Sequence, residues 1–253
     1  MEIAALRRYW EAEEQKARII GWNFDYIADR YESDEDALPW NLTEVINRYR
    51  GSGDRLLDID TGGGEFLLSL GHPDKLTCAT EGYPPNVALC REKFAERGIE
   101  FHAMTDYAHM PFPDGRFDII INRHGSYDPK ELYRVLRPGG VFVTQQVGEE
   151  NDRELVKMLL PDAEKPFPGA NLTNYARELE QAGFSVAEQY EAFRGIRFYD
   201  TGALVWFAKI IEWEFTGFSV ARCFDRLVEI ERTIRQNGFA EGRIHRFCLA
   251  ARK

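Results

Sequence analysis

From residue 54 to about 193 the chain alternates short, strongly apolar runs with amphipathic stretches. Leu56–Ile59, Lys75–Thr80, Glu100–Met104, Phe117–Asn122, Val141–Gln146 and Phe184–Tyr190 read as six strands. In the fourth, Ile119, Ile120 and Ile121 are apolar at consecutive positions, as a strand covered on both faces requires. Helical spacing falls between the runs, over Asn86–Arg97, Pro129–Leu136 and Leu172–Ala182. Strands alternating with helices predict βαβ units and a mainly parallel sheet.

The flanks follow a different pattern. Residues 1–50 read as a helical extension with aromatic punctuation at Trp10, Trp22, Phe24, Tyr26, Tyr31 and Trp40. Beyond Gly195, Thr201–Trp213 and Ser219–Asn237 predict two helices, and Arg243–Ala251 a last strand. The stretch 195–242 is too long for an ordinary connection and is expected to be a helical insertion. The expected organisation is residues 1–50 as a cap and 51–253 as the main α/β domain, carrying that insertion as a lid. The longest apolar run, Leu204–Ile211, is interrupted by Lys209 and is too short to span a bilayer.

The strongest chemical signal is Leu56-Leu57-Asp58-Ile59-Asp60-Thr61-Gly62-Gly63-Gly64-Glu65-Phe66, a strand running into a glycine turn and a helix. Glycines there accept positive φ and let the backbone approach a ligand closely. The dinucleotide fingerprint G-x-G-x-x-G needs a third glycine at position 67, which is Leu67. The ligand therefore needs close backbone approach without a diphosphate to cradle. Glu81 follows the next strand, where an acid can accept both hydroxyls of a ribose.

The glycine segment resembles motif I of class I S-adenosylmethionine (SAM)-dependent methyltransferases, L-D-(I/V/L)-G-x-G-x-G, with Asp60 in place of the first glycine. Asp tolerates the left-handed conformation better than most residues, so the turn is expected to survive. Met104-Thr105-Asp106 is similar to the acidic segment that borders the adenine. Met110-Pro111-Phe112-Pro113-Asp114-Gly115-Arg116-Phe117-Asp118 is similar to the run leading into the fourth strand. Leu136-Arg137-Pro138-Gly139-Gly140 is similar to the turn before the fifth. The resemblance spans residues 54–147. It implies a Rossmann-like α/β fold with a mainly parallel seven-stranded sheet and an antiparallel last strand. SAM is the implied cofactor. Asp58, Asp60, Gly62 and Gly64 would hold its methionine end, Glu81 and Gly82 its ribose, Asp106 and Tyr107 its adenine, and Asn122 would lie beneath the methionine part.

His124 and Tyr127, just after the fourth strand, are the candidates for catalysis, with His124 as a general base; Gln145 is a further acceptor contact. The alternative is that His124 only hydrogen-bonds its loop. The formal net charge of −10 disfavours nucleic acid as acceptor, although Arg123, Arg194, Arg197 and Arg222 would form a basic groove if folded together. A small apolar or aromatic molecule is the expected acceptor. An RNA or protein methyltransferase and a non-catalytic SAM-binding module are the alternatives. Cys78, Cys90, Cys223 and Cys248 form no C-x-x-C pair and suggest buried reduced thiols, no metal and a cytoplasmic protein. Arg7, Arg8, Glu11, Glu13 and Glu14 stand where a signal peptide would be apolar. The insertion's aromatics would serve a homodimer interface equally well.

Overall fold

The computed structural model describes residues 2–18 and 24–253. Eight strands form one sheet: β1 (Tyr31–Ser33), β2 (Leu56–Ile59), β3 (Thr77–Glu81), β4 (Glu100–Ala103), β5 (Phe117–Arg123), β6 (Leu136–Val147), β7 (Ser185–Phe198) and β8 (Ala240–Arg252). Their order is β1-β7-β8-β6-β5-β2-β3-β4. The pairs β2–β3, β3–β4, β2–β5 and β5–β6 are parallel; β8 runs antiparallel between β6 and β7. This is the expected Rossmann-like sheet with its antiparallel last strand. The short β1, which the helical reading of residues 1–50 missed, adds an eighth strand against the end of β7.

Two apolar layers cover the sheet. On one face, Val45 and Ile46 of α2 (Leu42–Tyr49), Leu67 of α3 (Glu65–Ser69) and Cys90 and Phe94 of α4 (Pro84–Ala95) pack under Leu56, Ile119 and Ile121. On the other, Leu132 of α5 (Pro129–Val135) and Leu179 of α7 (Leu172–Gln181) pack with Leu57, Ile120 and Phe142. The isoleucine triplet is buried on both sides, as its continuous apolarity required.

A third core lies elsewhere. β7 and β8 pair from Ser185↔Arg252 to Phe198↔Ala240, but β6 accompanies β8 only as far as Val147↔Arg246. Residues 240–245 therefore overrun the carboxyl edge of the parallel strands by roughly 20 Å, at about 3.3 Å per residue. Around that bare hairpin pack α1 (Ile3–Lys16), α6 (Arg153–Leu159), α8 (Thr201–Ile210) and α9 (Val220–Asn237), through Leu6, Trp10, Leu155, Phe198, Trp206, Leu227 and Ile244. In α8 only Lys209 is exposed, so its run of apolar residues is a core helix. In α9, Val220, Cys223, Leu227, Ile230 and Ile234 make one buried stripe between a Ser219 N-cap and a left-handed Gly238.

Arg30 ties the chain entering β1 to the helices around this third core. Its Nη1 donates to Glu13 Oε2 and Asp200 Oδ2, both at 3.0 Å. The predicted insertion, 195–242, is thus a pair of helices on an extended hairpin, with α1 and α6 completing their core. Among the described residues no helix is long and apolar enough to cross a membrane.

Candidate active site

Four loops meet at the carboxyl edge where β2, β3, β4 and β5 end. Asp60 leaves β2 at φ +56°, so the aspartate takes the left-handed conformation that a glycine would otherwise supply. Gly62 (φ +64°) and Gly64 (φ +81°) continue the turn, and a Cβ on Gly64 would lie 2.5 Å from the Phe94 ring. A Cβ on Gly82 would strike the Met104 carbonyl at 2.8 Å, and one on Gly125 would lie 2.5 Å from Asp60 Cβ. Glycine at these two places lets the loops after β3 and β5 close on their neighbours. Above Gly62 the space is open, with nothing within 4 Å of where its Cβ would be.

The cradle is acidic. Glu81 is buried and accepts three backbone N–H groups, from Gly62 at 2.7 Å on Oε2 and from Gly82 and Tyr83 at 2.9 and 2.8 Å on Oε1. One lone pair of Oε2 is left for a ligand hydroxyl. Burial, with the neighbouring Asp60 and Glu81 charges, pushes Asp58 up to about 7. Burial pushes Asp60 up to about 6, against the opposing hydrogen bond from the Tyr107 hydroxyl. Three carboxyl groups crowded in this way favour a cationic ligand and oppose a diphosphate. The residues present therefore fit SAM: a sulfonium and an ammonium suit Asp58 and Asp60, and a single ribose hydroxyl, rather than both, suits Glu81.

The other candidates occupy mixed positions. Tyr107 does reach the cradle, through Asp60. Asp106 is exposed and its carboxylate is turned to its own turn, accepting from Ala108 N–H and pairing with His109. Asn122 is buried beneath the cradle with its polar atoms engaged by protein: Nδ2 donates to the Ile59 carbonyl, and Oδ1 accepts from Thr144 and Gln146. Tyr127 packs edge-on against Phe142 and Tyr175, and its hydroxyl is buried without a partner among the described residues. His124, at φ +61°, stands at the end of β5 with its backbone N–H on the Gln145 carbonyl and its ring on the Gln145 side chain. Burial and the Arg246 and Arg123 charges hold its imidazole well below the usual histidine range.

Trp40 and Arg246 are the residues the sequence did not single out for this region. The Trp40 indole donates to Gln145 Oε1 at 2.8 Å and its ring stacks on Tyr190. Arg246 is buried, bonded to Asn151 and Glu35. Neither lies near the glycine motif in sequence, and no spacing marks them.

Of the outer aromatics, Phe198, Trp206 and Phe215 are buried in the cap core, whereas Tyr26, Tyr199 and Trp213 are exposed. Trp22 lies outside the described residues. The four arginines do not converge. Arg194 and Arg197 line a surface groove of about 460 Å³ with Arg243, where Arg197 and Arg243 are paired with Glu241 and Glu154. Arg123 lies over Phe66, and Arg222 bonds the Gly217 carbonyl. All four cysteines are buried free thiols.

Strand order, glycine turn and acidic cradle define a class of protein, and comparison with known proteins agrees with it. Residues 57–144 match the profile of a methyltransferase domain family. A demethylmenaquinone methyltransferase of Thermus thermophilus is 34% identical, over 47% of this chain and 62% of the relative. The chain thus matches less than two thirds of that relative's length. A Bacillus halodurans structure assigned as a methyltransferase superposes with a TM-score of 0.58 at 18% identity, covering 84% of this chain and 98% of that one. A Deinococcus radiodurans protein described as functionally unknown has a TM-score of 0.53 at 13% identity and covers 98% of this chain and 97% of its own. Residues 57–144 thus resemble a methyltransferase domain, on a fold shared with a solved structure of that kind.

Proposed function

We propose that this protein transfers the methyl group of SAM to a small, largely apolar acceptor. The observation that carries this is the acidic glycine cradle at the carboxyl edge of a methyltransferase-type sheet. Asp58, Asp60, Gly62 and Gly64 hold the methionine end, Glu81 and Gly82 the ribose, and Asp106 and Tyr107 flank the adenine. Asn122 acts from below, by joining β2, β5 and β6 rather than by touching the cofactor. Bound SAM supplies an activated methyl on a sulfonium. The protein's work is to align the acceptor in line with it and exclude water.

The acceptor approaches from the His124 side. Helices α1, α8 and α9 form the cap on that edge, since the hairpin that carries α8 and α9 projects past the carboxyl ends of the strands, whereas α2, within the expected 1–50 cap, covers the sheet instead. Support for a small acceptor comes from the net charge of −10 and from the Thermus relative, which by its name acts on a quinone. The paired arginines of the surface groove weaken the nucleic-acid alternative. The free buried thiols fit a cytoplasmic setting. Isothermal titration with SAM, S-adenosylhomocysteine and NADH tests the cofactor: the first two bind and the third does not. Folded protein that ignores SAM would falsify the assignment.

A further inference from the structure

The Trp40–Gln145–His124 chain fixes more than position. An indole N–H donates and never accepts, so the oxygen of the Gln145 amide must face Trp40, as it does at 2.8 Å. The amide nitrogen is then the end that faces His124, 3.3 Å from Nε2. An amide N–H donates, so Nε2 must be the ring nitrogen carrying the lone pair. In a neutral imidazole the proton then sits on Nδ1. Trp40 and Gln145 are both buried, and Tyr190 stacks on Trp40, so the chain has little room to reverse. Burial and the two facing charges, Arg246 and Arg123, keep the ring neutral. The residue as a whole is not fully buried, and the ring's Nδ1 has no protein partner among the described residues.

We infer that His124 is a fixed hydrogen-bond donor to the acceptor through Nδ1–H, not a general base, and that the acceptor is a delocalised oxyanion such as an enolate or a phenolate. This rests on the methyl-transfer reading above and replaces the base role that the sequence suggested. The imidazole holds the acceptor's oxygen while a carbon or second oxygen sharing the charge faces the sulfonium. The acceptor anion takes the methyl as the sulfur–methyl bond breaks; its charge and the sulfonium's cancel, S-adenosylhomocysteine leaves, and no proton passes to His124. Gln145 and Trp40 are positioning residues that act through the ring.

The test reads the tautomer directly. In ¹⁵N-histidine NMR of the free protein, His124 should be neutral with its proton on Nδ1 from pH 6 to 8. An Nε2–H form or an imidazolium in that range overturns the inference. Gln145→Glu offers Nε2 a carboxylate that accepts only, and should move the proton to Nε2; an unmoved proton also overturns it. With S-adenosylhomocysteine bound, 2-hydroxy-1,4-naphthoquinone, an anion at neutral pH, should shift the His124 Nδ1–H resonance, while its uncharged methyl ether should not. Gln145→Glu should weaken binding of the anion about tenfold, the loss of one charge-assisted hydrogen bond. Equal response to anion and ether, or none to either, refutes the oxyanion assignment. Because the tautomer is read without SAM, failure of SAM to bind would sink the methyl-transfer reading and leave the donor geometry standing.

Discussion

The cofactor cradle and the cap are built on opposite principles. The cradle buries charge: Asp58, Glu81 and part of Asp60 lie at the ends of strands, with Glu81 and Asp60 accepting from backbone N–H groups and the loops closing only because Gly82 and Gly125 lack side chains. The cap buries hydrocarbon: α8 is apolar nearly all round and meets Trp10, Phe198 and Leu227 in a core separate from both faces of the sheet. A region of the first kind is specific for its ligand and indifferent to bulk packing. One of the second kind tolerates no loss of volume, yet leaves the chemistry alone. The two can therefore be separated by mutation.

The largest effect is expected in the cap. Trp206→Ala removes a 2% exposed indole from that core and should cost about 3–5 kcal/mol in urea unfolding. SAM affinity of the folded fraction should stay within about twofold of the parent, because the lost energy belongs to the other core. A parallel collapse of SAM binding would show that cap and cradle are one unit.

Glu81→Ala strikes the cradle, and should weaken SAM binding by about 1.5–3 kcal/mol by titration calorimetry. Glu81 also serves the fold, because its carboxylate is buried and holds the loops after β2 and β3 together. The mutant should therefore also unfold earlier, and SAM should restore less stability to it than to the parent.

The third test uses pH. Asp58 and Asp60, pushed up to about 7 and about 6, must be ionised to face a cation. A bound cation lowers their values, so binding releases protons and tightens as pH rises. For one carboxyl at about 7 the gain from pH 6 to pH 8 is about tenfold in affinity. S-adenosylhomocysteine, which lacks the sulfonium charge, should show a shallower rise. Equal slopes for the two ligands would remove the carboxyls from the sulfonium's vicinity.

The smallest effect is expected where the regions join. Asp152 and Glu214 are buried there, pushed up to about 7 and about 8 chiefly by burial. A carboxyl whose value is raised on folding stabilises below its unfolded value and loses that contribution as pH rises through the folded one. Thermal stability of the ligand-free protein should accordingly fall as the pH rises from 5 to 8.5. Asp152→Asn, which suits the left-handed φ of +56° there, should flatten that slope in a calorimetric scan. An unchanged slope assigns the titration to other groups.

Much of the cradle half was legible from residues 54–147 because its determinants are local. Consecutive isoleucines mark a two-face strand wherever they occur, and Gly62 and Gly64 mark a positive-φ turn without reference to anything distant. Asp60 took up the left-handed turn for the same reason. Local chemistry also gave the helices α5, α7, α8 and α9 to within a few residues, since caps such as Asp128, Asn171 and Ser219 sit beside the stripes they start.

What the tertiary structure alone decided depends on partners far apart in the chain. β7 and β8 run on to Phe198 and Ala240 because each completes the other's hydrogen bonds beyond the sheet, a reach no window of sequence contains. Residues 31–33 become a strand only because the end of β7 offers them an edge. α6 went unrecognised because its apolar face has meaning only against β8 and α9. The role of His124 is the sharpest case. Its residue type proposed a base; the donor supplied by Trp40, 105 positions from the Gln145 it binds, set the amide, and the amide set the proton. Sequence fixes which groups can ionise, while the folded neighbourhood fixes where each proton rests, because hydrogen-bond polarity passes through space and not along the chain.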